Sequence, residues 1–401
     1  MIQKIKNSFF LLLITNLLVL GCVEPYDFAT ETFEQLLVVE ANITNENKQQ
    51  EVFLSRTIPL GETEEAPERQ AKVWIEGDDG SVYDFSENEP GHYISVSEFA
   101  AATGVSYQLV IITSEGETFS SEPTKMVINP GLDNLYAAKT INDEGDEGFS
   151  FMIDNSGTAE TTDYFKYEYV ETYKIVPPHK TFQDLIVVDG EPVLVPKIKE
   201  AELCFNSEAS SEIILASTNS LAVNALEAFQ VRFLSKHNPK VSQRYSLLVK
   251  QYALTQEAYS YYATLQKFSG SESLFSQTQP GFINGNLFSV DNPDEKVVGY
   301  FNVASVVSKR VFVNFLDYFN NEDRQYFMDC SITRPEFAIT AITLIQEGLA
   351  KFISLSLSPP DHEGKGPIRI APAPCVDCTL LGSPVPPDFW VEDDEVAEET
   401  E

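Results

Sequence analysis

Five cysteines carry most of the chemistry open to this chain, and their settings divide them into two groups. Cys22 follows Lys4 and Lys6, then an apolar stretch from Phe9 to Leu20 broken only by Thr15 and Asn16, then Gly21. That is the layout of a signal peptide whose closing run, Val19-Leu20-Gly21-Cys22, is a lipobox rather than an ordinary cleavage site. The chemistry it predicts is a diacylglyceryl thioether on Cys22, cleavage before it, and acylation of the freed amine. Two or three buried acyl chains, at about 0.8 kcal/mol per methylene, hold a protein on a bilayer stably. An uncleaved anchor helix is the weaker reading, because the apolar stretch falls short of the roughly 20 residues that a span requires.

Cys204, Cys330, Cys375 and Cys378 form the second group. An even number in an oxidising compartment suggests two disulfides, with three possible connectivities. The Cys375-Val376-Asp377-Cys378 spacing could also be half of a zinc site or a redox pair. A zinc ribbon needs a second close pair, and Cys204 and Cys330 stand alone. A redox pair opens a helix after a strand, whereas Gly382, Pro384, Pro386 and Pro387 follow here. A bridge inside the pair would close a small, strained ring. Each of the two is therefore expected to reach back to one upstream cysteine and staple a C-terminal strap onto the body.

Other catalytic constellations are missing. There is no G-x-S-x-G elbow, no H-E-x-x-H and no Walker loop, and Gly364-Lys365-Gly366 lacks the upstream glycine spacing and the hydroxyl. His92, His179, His237 and His362 are far apart, none with a second ligand type at metal spacing. The acidic turn Asn142–Gly148 has a calcium-like composition, but its glycine does not fall where an EF-hand loop needs it, so a solvated loop between strands is the better reading. The expectation is a non-enzyme without cofactor or metal.

The formal charge is −34, and removing residues 1–21 takes away two lysines and no acids, which gives 25 − 61 = −36. Nucleic acid is excluded as a natural partner, since that surface needs basic patches to displace counterions. Solubility on a crowded membrane explains the charge more simply than a divalent-cation or basic-partner surface. Seven of the last eleven residues, Val391–Glu401, are acidic, which reads as a solvated tail.

The elements that must position these residues are mostly strands. Residues 22–35 read as a lipidated tether and residues 36–129 as a small β-sandwich of seven or eight strands. In it Gly77-Asp78-Asp79-Gly80 and Ser114-Glu115-Gly116-Glu117 are turns, and Pro59–Arg69 is an exposed loop. Tyr107, three residues after Gly104, is either a tyrosine corner or an ordinary core aromatic. Asn129-Pro130-Gly131 marks a boundary, and residues 130–390 form a larger β-rich domain. Its strands are expected at Phe149–Ile153, Tyr164–Ile175, Glu212–Ala216, Ala228–Leu234, Arg244–Tyr252, Phe282–Val290, Val297–Ser305 and Lys309–Phe315. One helix follows Thr255 as cap and ends at Gly270, with Ala258, Tyr261, Tyr262 and Leu265 on a core-facing stripe. Ala338–Leu349 offers a second helix, and the chain from Pro359 to Trp390 reads as loop. The fold class is mainly β: an immunoglobulin- or transthyretin-like sandwich followed by a larger β-rich domain with one or two helices.

Several stretches together resemble a known family. They are Leu37-Val38-Val39-Glu40, Leu54-Ser55-Arg56-Thr57, Ser121-Glu122-Pro123, Arg244-Tyr245, Gly299-Tyr300-Phe301, Cys375-x-Asp377-Cys378 and Pro387-Asp388-Phe389-Trp390. Their order and spacing are similar to those of Bacteroidota lipoproteins grouped as domain-of-unknown-function family 4249, from the signal peptide to Trp390. The resemblance implies a lipoprotein encoded beside a TonB-dependent outer-membrane receptor, anchored at Cys22 to the outer membrane and assisting uptake without catalysis; Glu24 and Asp27 close after Cys22 hint at export to the cell surface. A structural or adhesive surface lipoprotein is the alternative. The tail after Trp390 lies outside the shared pattern.

Overall fold

Period-two alternation sets which side chains the first strands bury. The computed structural model describes residues 35–392 except 60, 64–65, 198–201, 270–282, 321 and 357–365. The expected signal peptide, Cys22 and most of the expected tether therefore lie outside the described residues. Strand β1 (Leu37–Thr44) buries Leu37, Val39, Ala41 and Ile43, and β2 (Glu51–Arg56) buries Val52 and Leu54. They are followed by β3 (Lys72–Gly77), β4 (Val82–Glu89), β5 (His92–Ser95), β6 (Ser106–Ile112), β7 (Thr118–Ser121) and β8 (Thr124–Lys125). Their inner faces meet in one core with Tyr93, Tyr107 and Phe119 fully buried. Tyr107 serves in both of its expected ways: its ring fills the core, and its hydroxyl accepts from the Ala102 N–H at 2.8 Å, tying the strand to the loop before it. The loop Pro59–Arg69 is not exposed to its end. Glu68 turns inward to 6% exposure because Arg56 Nε donates to its Oε2 at 2.7 Å, and a charge-assisted bond offsets the burial of the carboxylate.

Strands β9 (Asn134–Ile141) and β10 (Glu147–Ser156) form a hairpin around the acidic turn, and β11 is the long alternating strand Tyr164–Ile175. A second hairpin, β12 (Gln183–Val188) with β13 (Glu191–Pro196), turns through Asp189 and Gly190, both at positive φ (52° and 87°). That is the backbone a two-residue primed turn needs, and Asp-Gly supplies it cheaply. After β14 (Cys204–Ala209), β15 (Ile214–Ser217) and β16 (Ala225–Ser235) comes β17 (Arg244–Ala253), with Tyr245, Leu247 and Val249 wholly buried. The small sheet β16-β10-β9 packs on β11 and β17 over a second core that includes Phe149, Phe151, Phe165 and Tyr167.

Helix α1 (Gln256–Ser269) starts where expected, with Thr255 Oγ1 accepting from the Ala258 N–H at 3.2 Å; Gly270 lies outside the described residues. Past β18 (Leu287–Ser289), the two strands expected over 297–315 are one 18-residue strand, β19 (Val297–Asn314). Its first half pairs in parallel with β1, from Leu37↔Val297 to Thr44↔Ala304, and its second half pairs antiparallel with β17. Fourteen described strands thereby join in one mixed sheet that runs past the boundary expected at residue 129. The reason is packing: Leu287, Val297, Phe301 and Val303, from the far end of the chain, complete the N-terminal core. Gly299 permits the close parallel approach. It sits at φ 136°, and a Cβ there would strike the Val39 carbonyl.

The remaining elements are α2 (Phe315–Tyr318), α3 (Ala338–Gln346), β20 (Ala350–Leu355) and β21 (Ile368–Pro372). The last corrects the expected loop after Pro359: Ile368 and Ile370 are buried with Leu185, Ala341 and Phe352 in a small core, which draws this segment into a strand. Cys204 bonds Cys378 and Cys330 bonds Cys375, so each member of the close pair holds a different upstream segment. The strap beyond them lies against the sheet. Trp390 meets Phe205 and Phe312 in T-shaped contacts, with ring centroids 4.9 Å and 5.6 Å away, and Arg244 Nε donates to the Val391 carbonyl at 2.7 Å. Replacing Cys204 and Cys378 together with alanine is expected to lower unfolding stability by about 2–5 kcal/mol in urea titration. An unchanged midpoint would show that the strap is held by these other contacts alone.

Candidate functional site

Strand register gathers a row of outward-facing side chains across four neighbouring strands. Phe53 of β2 is opposite His92 of β5, Glu40 of β1 is opposite Phe53, and Tyr300 of β19 is opposite Glu40. Farther along the sheet, Tyr252 and Lys250 of β17 are opposite Lys166 and Glu168 of β11. Helix α1 packs over this face and adds Tyr261 and Tyr262. The Tyr261 ring lies 5.2 Å from Tyr300 and 5.6 Å from Tyr262. Between helix and sheet runs a groove of about 760 Å³, walled also by Tyr169, Ser210 and Asn42. Its volume falls in the range of small-molecule sites. A second hollow of about 750 Å³ shares Tyr261 and Tyr300 and is edged by Glu122, Lys125 and Asn286. Asn286 fixes that edge by bonding both the N–H and the C=O of Phe301 at 2.8 Å.

The lysines in the groove are paired. Lys166 Nζ reaches Glu168 at 2.7 Å while standing 4.8 Å over the Tyr262 ring. The Tyr252 hydroxyl donates to Glu168 at 2.8 Å, and Lys250 and Lys48 both approach Glu46. Burial pushes the Glu168 carboxyl up, but the charge and hydrogen bond of Lys166, the Tyr252 hydroxyl and Lys250 outweigh it and hold the group below 4.5. Burial, with Tyr262 and Glu40 adding, pushes the Tyr261 phenol up to about 12. Burial also raises the phenols of Tyr252 and Tyr262, reinforced in both by Glu168. Near neutrality these tyrosines remain donors and Glu168 remains an acceptor. Such a fixed pattern suits holding a ligand better than exchanging protons with one, since a general base works best poised near the working pH.

The depressed carboxylates set a pH dependence. Glu208, hydrogen-bonded by Lys240 and Tyr173, and Glu46, where Lys250 and Lys48 outweigh burial, join Glu168 below 4.5. A group whose folded pKa is lowered stabilises the fold above its unfolded pKa, and that contribution is lost as the pH falls through the folded value. Unfolding midpoints are therefore expected to hold steady from neutrality down to about pH 5 and then decline. Midpoints that rise on acidification would contradict this assignment.

The groove is not where the cysteines are. All four described cysteines sit in or under the strap, and Cys22 lies outside the described residues. Of the expected helical stripe, Ala258 and Tyr261 are buried core, while Tyr262 and Leu265 are partly exposed and line the groove. Glu40, Phe53, Lys166 and Tyr300 were not legible as site residues. The available signal was an aromatic at outward strand positions, Phe53 between buried Val52 and Leu54, and Tyr300 beside buried Phe301. Among the described residues, no group of three His, Cys, Asp or Glu side chains could hold a metal ion. No described helix is long and apolar enough to cross a membrane.

The family model described as "Domain of unknown function (DUF4249)" matches residues 23–310, well over half of the chain. The chain belongs to the DUF4249 family. No curated protein matches this DUF4249 chain. Among solved structures, a DUF4785 family protein from Legionella pneumophila aligns at 10% identity and a TM-score of 0.18, covering 54% of this chain and 52% of the other. A Salmonella alpha-2-macroglobulin mutant aligns at 9% identity and a TM-score of 0.18, covering 70% of this chain and 14% of the other. The DUF4249 chain thus spans about half of the first protein and a small part of the second, and at that score neither alignment defines a shared fold.

Proposed function

We propose that this DUF4249 chain is a lipid-anchored, non-catalytic accessory protein of the Bacteroidota outer membrane that docks on a TonB-dependent receptor and holds a nutrient for it. The observation that carries the reading is the groove: a preformed hollow of about 760 Å³ in which Glu168 is held ionised and Tyr252, Tyr261 and Tyr262 are held protonated near neutrality. The setting of Cys22 supports the anchor, and lipid tethering raises local concentration so that a modest interface with a barrel is largely occupied. A surface for that interface is available on the β12–β13 hairpin. Phe182 before it is 92% exposed, and Ile186, Val188 and Val193 are 40–46% exposed, an apolar face of the kind that partners cover.

Solubilised with its lipid intact, the protein is expected to co-purify with a TonB-dependent barrel, and deleting residues 391–401 is expected to leave the complex in place. Exposed charge contributes little to an interface compared with aromatic anchors. Recovery of other envelope components without a barrel would favour the adhesive reading instead.

A further inference from the structure

We infer that the groove takes a neutral, polyhydroxylated ligand, an oligosaccharide; this rests on reading the chain as a binding protein. Unused hydrogen-bonding capacity collects on this face. Asn302, 1% exposed, stands two positions along β19 from Tyr300 and so on the same side. Its Nδ2 donates to Asn42 Oδ1 at 3.1 Å, but its own Oδ1 has no partner. His92 Nε2 is also buried without a hydrogen bond, 4.0 Å from Glu51 Oε1. Five buried side-chain atoms among the described residues lack partners; these two lie behind the lining, Asn302 against Asn42 and His92 against Phe53, and not in the groove itself. Buried polar atoms are nearly always satisfied, so each such gap calls for an explanation. The hydroxyls of Tyr261 and Tyr262 and the Glu40 carboxylate likewise have no hydrogen-bond partner among the described residues.

The lining selects against charge and against extended peptide. The lining counts three carboxylates, Glu40, Glu51 and Glu168, and three ammonium groups, Lys48, Lys166 and Lys250, so its formal charge is balanced. The backbone groups of β1, β11, β17 and β19 are used in sheet pairing on both sides, so a peptide has no free ladder to join here. What remains is carboxylate, amide and phenol groups around one aromatic plate. Phe53 is 44% exposed and stacks on His92 at 4.4 Å with 7° between the rings, which leaves its other face open. A sugar ring fits this arrangement. Its C–H face covers Phe53, and each hydroxyl, being donor and acceptor at once, can meet both the Glu40 carboxylate and the phenols of Tyr261 and Tyr262.

Isothermal titration of the detergent-solubilised lipoprotein tests this with maltohexaose, xylohexaose, cellohexaose and chitohexaose, against polygalacturonate, hexalysine and tetraalanine. At least one neutral oligosaccharide is expected to bind. Phe53→Ala and Glu40→Gln, both at exposed side chains, should each weaken that binding by about tenfold or more while leaving the thermal midpoint unchanged. No binding by any of the four, binding by the charged polymers or the peptide instead, or undiminished affinity in both variants would overturn the inference. Barrel co-purification is read separately. A barrel recovered with no sugar bound removes only the ligand class, whereas a sugar bound with no barrel recovered removes only the receptor reading.

Discussion

Glu171→Ala is expected to destabilise the protein by about 3–5 kcal/mol, the usual result of leaving buried charges without their partner. Glu171 is 3% exposed on β11, between the small sheet and the large one. Lys240 bonds its carboxylate, the Tyr245 hydroxyl donates to it at 2.9 Å, and Arg232 lies 3.6 Å away. The cluster extends outward: Lys240 also pairs with Glu208 at 2.7 Å and Arg232 with Glu212 at 3.6 Å. Removing Glu171 strands the Tyr245 hydroxyl and takes the inner anion from two cations at once. Tyr245→Phe deletes one hydrogen bond and keeps the ring, so it should cost only about 1–2 kcal/mol. Urea unfolding of both variants checks the pair, and equal, small losses would mean that the cluster is well hydrated rather than buried.

Cys22→Ser is expected to abolish lipid attachment altogether, because the thioether needs a thiol and no other residue of the apolar leader supplies one. Palmitate labelling should fall to background, the leader should stay uncleaved, and the acyl-chain anchor that holds the mature protein on its bilayer is lost. Labelling that persists in the variant would end the lipoprotein reading. The two substitutions act independently: one removes the anchor and leaves the core intact, the other weakens the core and leaves the anchor.

Local patterns carried much of the fold. Tyr164–Ile175 alternates so strictly that its strand bounds are those expected, and Thr255 announced the start of α1. What escaped depends on pairing between distant segments. Nothing local in Val297–Asn314 says that one half of the strand will lie parallel to β1 while the other pairs with β17. The β12–β13 hairpin was missed although Val-Val-Asp-Gly-Glu-Pro contains the turn residues it uses, since the flanking segments do not alternate cleanly. The groove was less legible still. Its residues come from β1, β2, β11, β17, β19 and α1, and Glu40, Phe53 and Tyr300 meet only through cross-strand register. A polar or aromatic side chain on the outward face of a strand is ordinary by itself, and it gains meaning only once its neighbours across the sheet are known.

Site-specific photo-crosslinking in living cells tests the account most directly. With a photoreactive residue in place of Phe182, the most exposed aromatic beside the β12–β13 hairpin, illumination should give one dominant adduct between this protein and a TonB-dependent outer-membrane barrel. Adducts formed only with a second copy of the chain or with envelope components other than a barrel would contradict the receptor-accessory role.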